Sequence, residues 1–117
     1  PRNERIYYNL ALLYNEMNNK AAAEKSFEKA VELKSQNTRV YFNYGLLLNE
    51  SKKYKAAETI LNKGISISPA APELYYAIIF VYQGMNDISK ARQAGIKLKQ
   101  LDPNNPEYQM LFKQLGI

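Results

Sequence analysis

Apolar residues recur along the chain at helical spacing, and short polar stretches interrupt them at regular intervals. Residues 7–14 read YYNLALLY, residues 41–48 YFNYGLLL and residues 75–82 YYAIIFVY, each block opened by two aromatic side chains or by Tyr and Phe. In the first segment Ile6 and Tyr7 are followed by Leu10, Tyr14 and Met17 in steps of three or four residues, the spacing of a helix face. NEMNNK then breaks the pattern with three Asn, a residue that favours turns and caps. A second segment, from about Lys20 to Leu33, repeats Ala23, Phe27, Ala30 and Val31 on one side and sends Glu24, Lys25, Glu28, Lys29 and Glu32 to water. Lys25–Glu28 and Lys29–Glu32 are spaced as i,i+3 pairs. ESKKY and QGMND break the later segments in the same way, with Asp87 placed as an N-cap. Pro72 and Pro106 suit the first turn of a helix, where the missing N–H has no partner to lose. The pattern predicts seven helices, near residues 4–17, 20–34, 38–50, 54–67, 72–84, 88–101 and 105–115, with no strand.

The segments are copies of one another. Tyr7, Tyr41 and Tyr75 are spaced by 34 residues, as are Ala23, Ala57 and Ala91, and Ala11, Gly45 and Ile79. Pro69 and Pro103 share the spacing, with Ser35 in the same slot one unit earlier. The units are 4–37, 38–71 and 72–105, followed by a closing segment, 106–117. The small residues have a mechanical role: Ala11 or Gly45 opposite Ala23 or Ala57 lets two backbones approach, and Ala30 and Gly64 do so for the next helix along. A lone helix pair cannot bury its apolar face, so neighbours must stack. Ile79 is large where a small residue is expected and Gly95 small where a large one is, which predicts that Ile79 fills the volume Gly95 leaves.

This unit resembles the tetratricopeptide repeat (TPR), two antiparallel helices in 34 residues. Unit one carries Tyr7, Leu10, Ala11, Tyr14, Ala23, Phe27 and Ala30 at the family's positions; unit two carries Tyr41, Tyr44, Gly45, Ala57 and Pro69; unit three carries Tyr75, Ile78, Tyr82, Ala91 and Pro103. Ser35, Leu48, Leu61, Gly64, Ile79, Gly95 and Leu98 depart from the pattern. The resemblance implies an all-α fold: a right-handed α-solenoid of three TPR helix pairs and a short C-terminal closing helix, forming a single domain over residues 1–117. Tyr108, Met110, Leu111, Phe112 and Leu115 supply the closing helix with apolar residues.

The resemblance also places first helices on the concave side of the solenoid. It aims four sets of side chains into that groove: Tyr8, Phe42 and Tyr76; Asn9, Asn43 and Ala77; Leu12, Leu46 and Phe80; Asn15, Asn49 and Gln83. Apolar rows alternating with amides suit a peptide, with the amides bonding its backbone. The same side chains can instead close the floor between neighbouring first helices, and the sequence leaves both readings open. Chaperone-binding members of the family hold terminal carboxylates with a clamp of basic residues and Asn. Its basic positions fall here on Tyr8, Glu73 and Ala77 and its Asn positions on Leu12 and Asn43; only Asn43 matches, so the comparison argues against that activity. Unit positions that pack on a preceding repeat hold Val40 and Leu47 in unit two and Leu74 and Val81 in unit three, but Ile6 and Leu13 in unit one. That apolar edge, together with a start at Pro1, reads as a piece of a longer protein and as a surface for self-association.

Composition narrows the chemistry. The 117 residues include no Cys and no His, which removes thiol chemistry, disulfides, the commonest metal ligand and the commonest general base. No Gly-rich phosphate loop occurs, and the acids are scattered, so the chain reads as non-enzymatic, without cofactor or metal. No apolar run approaches the roughly 20 residues of a membrane span. The formal charge of +5 favours acidic partners, and Lys90, Arg92, Lys97 and Lys99 lie on one segment without an acid. Scattered lysines on helix faces equally keep a domain soluble, and no basic row accompanies the recurrent Asn. The sequence therefore favours a protein-interaction scaffold with a protein or peptide partner. A basic nucleic-acid-binding repeat and a purely structural spacer are the alternatives. Compartment is left open; abundant Asn, Lys, Tyr and Ile are associated with AT-rich bacterial genomes.

Overall fold

The computed structural model describes residues 2–117, with side chains from residue 3 onward. Seven helices form: α1 (Arg2–Glu16), α2 (Lys20–Glu32), α3 (Thr38–Glu50), α4 (Tyr54–Ile67), α5 (Pro72–Gly84), α6 (Ile88–Leu101) and α7 (Pro106–Leu115). No strand occurs among the described residues. α1 packs on α2, α3 on α4 and α5 on α6 as hairpins; α3 also packs on α2 and α5, and α4 on α5, stacking the hairpins in chain order, with α7 against α6. The result is an elongated solenoid of 41 × 25 × 22 Å.

The turn inside each hairpin is the same object three times. Asn18, Lys52 and Asn86, spaced by 34, each adopt a left-handed conformation with φ of 60°, 60° and 58°. In each turn that residue's N–H bonds the carbonyl three back, and the next N–H bonds five back, as in Asn18→Asn15 at 3.0 Å and Asn19→Tyr14 at 2.8 Å. These two bonds satisfy carbonyls that the ending helix leaves open. Asn19 and Asp87 then cap the following helix, accepting from the N–H of Ala22 and Lys90. Lys53 stands in that slot in the middle hairpin and makes no side-chain cap. α2 ends two residues before the expected boundary because Lys34 takes φ 60° and reverses the chain.

The core runs through all three repeats. Phe27, Leu48, Leu61, Leu74, Ile78, Ile79 and Leu98 are at most 2% exposed. The Tyr41 hydroxyl donates to the Ser35 carbonyl at 2.7 Å, and the Tyr75 hydroxyl to the Pro69 carbonyl at 2.8 Å, one unit later. Each tyrosine thus ties its helix to the loop that precedes it. Ser35 replaces the family's Pro for a visible reason. Its N–H bonds the Ala30 carbonyl, its hydroxyl donates to Glu4, and its hydroxyl oxygen accepts from the Asn37 N–H, none of which Pro can supply.

Three details differ from the expectations. Ala11, Ala23 and Ala57 are buried as foreseen, but the space at Gly45 is taken by the Leu61 side chain, 2.5 Å from where a Cβ would sit. Ile79 does reach Gly95, at 3.9 Å, yet Leu115 and Ile117 of the C-terminal segment come closer, at 2.7 and 2.9 Å, and fill most of the gap. Lys29 pairs with Glu32 at 3.6 Å, whereas Lys25 and Glu28 form no ion pair. The stronger ion pairs cross between repeats: Lys20–Glu50 at 2.6 Å and Lys53–Glu24 at 2.9 Å.

Candidate functional site

The first helices of the three hairpins, α1, α3 and α5, share one face, which α7 touches through Tyr108 against Tyr76. The residues assigned to it from the sequence are half-buried or exposed: Tyr8, Leu12, Phe42, Asn43, Leu46, Asn49, Tyr76, Phe80 and Gln83 are half-buried, Asn9 and Asn15 exposed. This contrasts with their chain neighbours Tyr41, Leu47, Leu48 and Tyr75, all in the core. A helix with aromatic pairs at Tyr7–Tyr8, Tyr41–Phe42 and Tyr75–Tyr76 points its two members to different sides, about 100° apart. Ala77 is the exception. It is 1% exposed and belongs to the core, where the absence of a longer side chain lets it pack closely.

The rows interlock. The Asn43 amide donates to the Tyr8 hydroxyl at 3.1 Å, linking α3 to α1 across the surface. The Tyr8 ring lies 6.3 Å from Phe27, which stacks on Tyr44 at 5.5 Å. Tyr76 meets Phe80 edge-on at 5.0 Å and Tyr108 of α7 at 4.9 Å. The apolar rows are therefore part floor and part surface: their inner edges join the core while their outer edges face solvent. Asn49 Oδ1 is buried without a hydrogen-bond partner, alone in this among the described residues.

A cavity of about 500 Å³ opens between α3 and α5, lined by Phe42, Asn43, Arg39 and Glu73 with Gln36, Asn37 and Thr38. Arg39 was not among the residues picked from the sequence. The signal was present: Arg5, Arg39 and Glu73 share one slot at 34-residue spacing, but the sign of the charge changes and hides the recurrence. A larger cleft of about 630 Å³ lies on the opposite, outer side between α2 and α4, over Tyr41, Tyr44 and Ile60. There burial pushes the Tyr44 hydroxyl up to about 12, helped by Glu28 and Glu24. Among the described residues no cluster of acidic side chains has metal-binding geometry, and no helix is long and apolar enough to cross a membrane.

Solved structures with this architecture are numerous. The first TPR of Spaghetti (RPAP3) bound to the HSP90 peptide SRMEEVD superposes with a TM-score of 0.86 at 15% identity, over 98% of this chain and 94% of that one. The Yersinia enterocolitica type III secretion chaperone SycD, in complex with a peptide of the translocator YopD, gives 0.82 at 17% identity, over 96% and 86%. The Arabidopsis OM64 TPR domain gives 0.88 at 16% identity, over 98% and 95%. Identities this low establish the fold alone. No curated protein matches the sequence. Tetratricopeptide repeat models match residues 4–37 and residues 48–115. With three hairpins in 34-residue register and those matches across most of its length, the chain belongs to the tetratricopeptide repeat family.

Proposed function

We propose that the domain is a protein-interaction scaffold that holds a peptide or partner segment in the groove of α1, α3 and α5. One observation carries this reading: Tyr8, Phe42 and Tyr76 stay partly open in the same register in all three repeats, beside the closed core neighbours Tyr41 and Tyr75 in repeats two and three. Aromatic side chains in shallow pockets are the usual anchors of an interface. Two structural neighbours, RPAP3 and SycD, are seen with peptides bound. The ligand differs from the acidic HSP90 peptide, because Tyr8, Leu12 and Glu73 stand where a carboxylate clamp needs base and amide.

The test uses a pool of random peptides displayed on phage. The wild-type domain retains peptides rich in apolar residues, and Phe42→Ser lowers that retention by about tenfold or more while the circular dichroism stays helical. Equal retention by both proteins refutes the groove.

A second contact is favoured by the outer edge of α1. Ile6 and Leu13 are 55% and 50% exposed, while their equivalents Val40, Leu47, Leu74 and Val81 are at most 2% exposed. The domain is expected to self-associate weakly through this edge, and Ile6→Asn with Leu13→Asn abolishes it. Sedimentation that stays monomeric for the wild type at high concentration overturns the expectation.

A further inference from the structure

We infer that the groove selects its partner by a charge code along one rim, read by Arg5, Arg39 and Glu73, and that the partner is an extended segment carrying acid, acid and base in that order. This deepens the reading of the groove as a peptide site and rests on it.

The three residues occupy one slot of the repeat, near the N-terminal ends of α1, α3 and α5, and all three are exposed. Arg39 and Glu73 line the same cavity as Phe42 and Asn43, so the charges stand beside the apolar row. Neither has an ion-pair partner among the described residues, in contrast to Glu50 at the far end of α3, which meets Lys20 of α2, and to Glu24 of α2, which meets Lys53 at the start of α4. The rim therefore offers two cations and one anion, in a fixed order, to whatever lies across the helices. A partner with acids opposite Arg5 and Arg39 and a base opposite Glu73 is attracted at every step, and a segment with all three signs inverted is repelled at every step. Glu73 also acts as the element that rejects an all-acidic tail.

The spacing selects the ligand's conformation. Packed helices stand roughly 8–10 Å apart. An extended chain in the polyproline II form advances roughly 3.1 Å per residue with about three residues per turn, so every third side chain points the same way and meets the next rim charge. An amide agrees: Asn43, half-buried on this face, spends an N–H on the Tyr8 hydroxyl and keeps an amide oxygen that can accept from backbone N–H, which an extended chain supplies and a helix consumes internally.

The experiment selects a pool of random peptides, each about twelve residues long, enough to cross three helices. The baits are the wild type, the charge-swapped Arg39→Glu with Glu73→Lys protein, and Phe42→Ser. The wild type is expected to enrich an acid three residues before a base beside apolar positions, with about a two- to fivefold preference per charge, the range of exposed ion pairs. The swapped protein is expected to enrich the opposite order. In high salt the charge preference fades while apolar selection persists. If wild type and swapped protein select the same apolar peptides without charge order, the code is wrong and the groove stands. If enriched charges recur about six or seven residues apart, the interval a helix needs to span the same distance, the extended form is wrong. If Phe42→Ser selects as the wild type does, the groove itself fails and takes the code with it.

Discussion

Tyr41 and Phe42 are adjacent in sequence and point about 100° apart on α3, so truncating each in turn measures the two faces separately. Tyr41 is 2% exposed, its hydroxyl bonds the Ser35 carbonyl, and its Cβ lies 2.6 Å from the point where Gly64 would carry one. Tyr41→Ser removes a buried ring, at about 3–5 kcal/mol, and one hydrogen bond, at about 1 kcal/mol. The sum of about 4–6 kcal/mol is comparable with the whole stability of many domains. Phe42 is half-buried, packed against the core on one edge and lining the cavity on the other. Half of the roughly 1.5–3 kcal/mol for burying such a side chain predicts about 1 kcal/mol for Phe42→Ser, above the usual cost at a surface position. Urea unfolding followed by far-ultraviolet circular dichroism reads both. Phe42→Ser should shift the midpoint modestly with an unchanged slope, and Tyr41→Ser should leave the domain barely folded in buffer. Equal losses would mean that Phe42 is a core residue, and the groove would then lose its central anchor.

Two further outcomes follow from local chemistry. Lys52 holds a left-handed conformation that its counterparts Asn18 and Asn86 adopt more readily, so Lys52→Asn should stabilise the domain by about 0.5–1 kcal/mol, read as a rise in Tm; a fall would refute the assignment of strain to this turn. Tyr44 is raised from 10.0 to about 12 by burial and by Glu28 and Glu24, so the folded state holds its proton where the unfolded chain has lost it. Its contribution is complete below about pH 10 and is lost as the pH climbs to about 12, at up to about 1.4 kcal/mol per pH unit. Tyr44→Phe should flatten the alkaline arm of a stability-versus-pH curve, and an unchanged arm would count against it.

Much of this architecture was legible in the sequence because the same physical demand is written three times. Tyr7, Tyr41 and Tyr75 in one phase, with breaks at NEMNNK, ESKKY and QGMND, leave little freedom in where helices start and stop. The misreadings have local causes. Ala77 shares the slot of Asn9 and Asn43, but a methyl group has no polar atom to keep it at the surface, and it sinks into the core. Gly95 pairs with Ile79 in register, yet the volume is claimed mainly by Leu115 and Ile117, whose placement depends on how α7 docks rather than on the repeat. Phe42 lines the cavity and also packs against the core, because a ring is wide enough to reach the core with its inner edge. Arg39 escaped notice because its counterpart Glu73 carries the opposite sign, and recurrence of side-chain type is the signal that periodicity detects.

The hairpin turns have a consequence for how such a chain grows. Asn18, Lys52 and Asn86 give every hairpin the same backbone connection, so the three hairpins are near-congruent blocks joined by similar seams. A block added or removed in whole 34-residue steps brings its own turn and its own seam and disturbs no other. A deletion within residues 35–41 or 69–75 pulls a tyrosine latch, Tyr41 to Ser35 or Tyr75 to Pro69, out of reach of its carbonyl. Gene duplication can therefore lengthen this molecule like a tiled surface, while small insertions are tolerated only where two tiles meet solvent, at the hairpin tips.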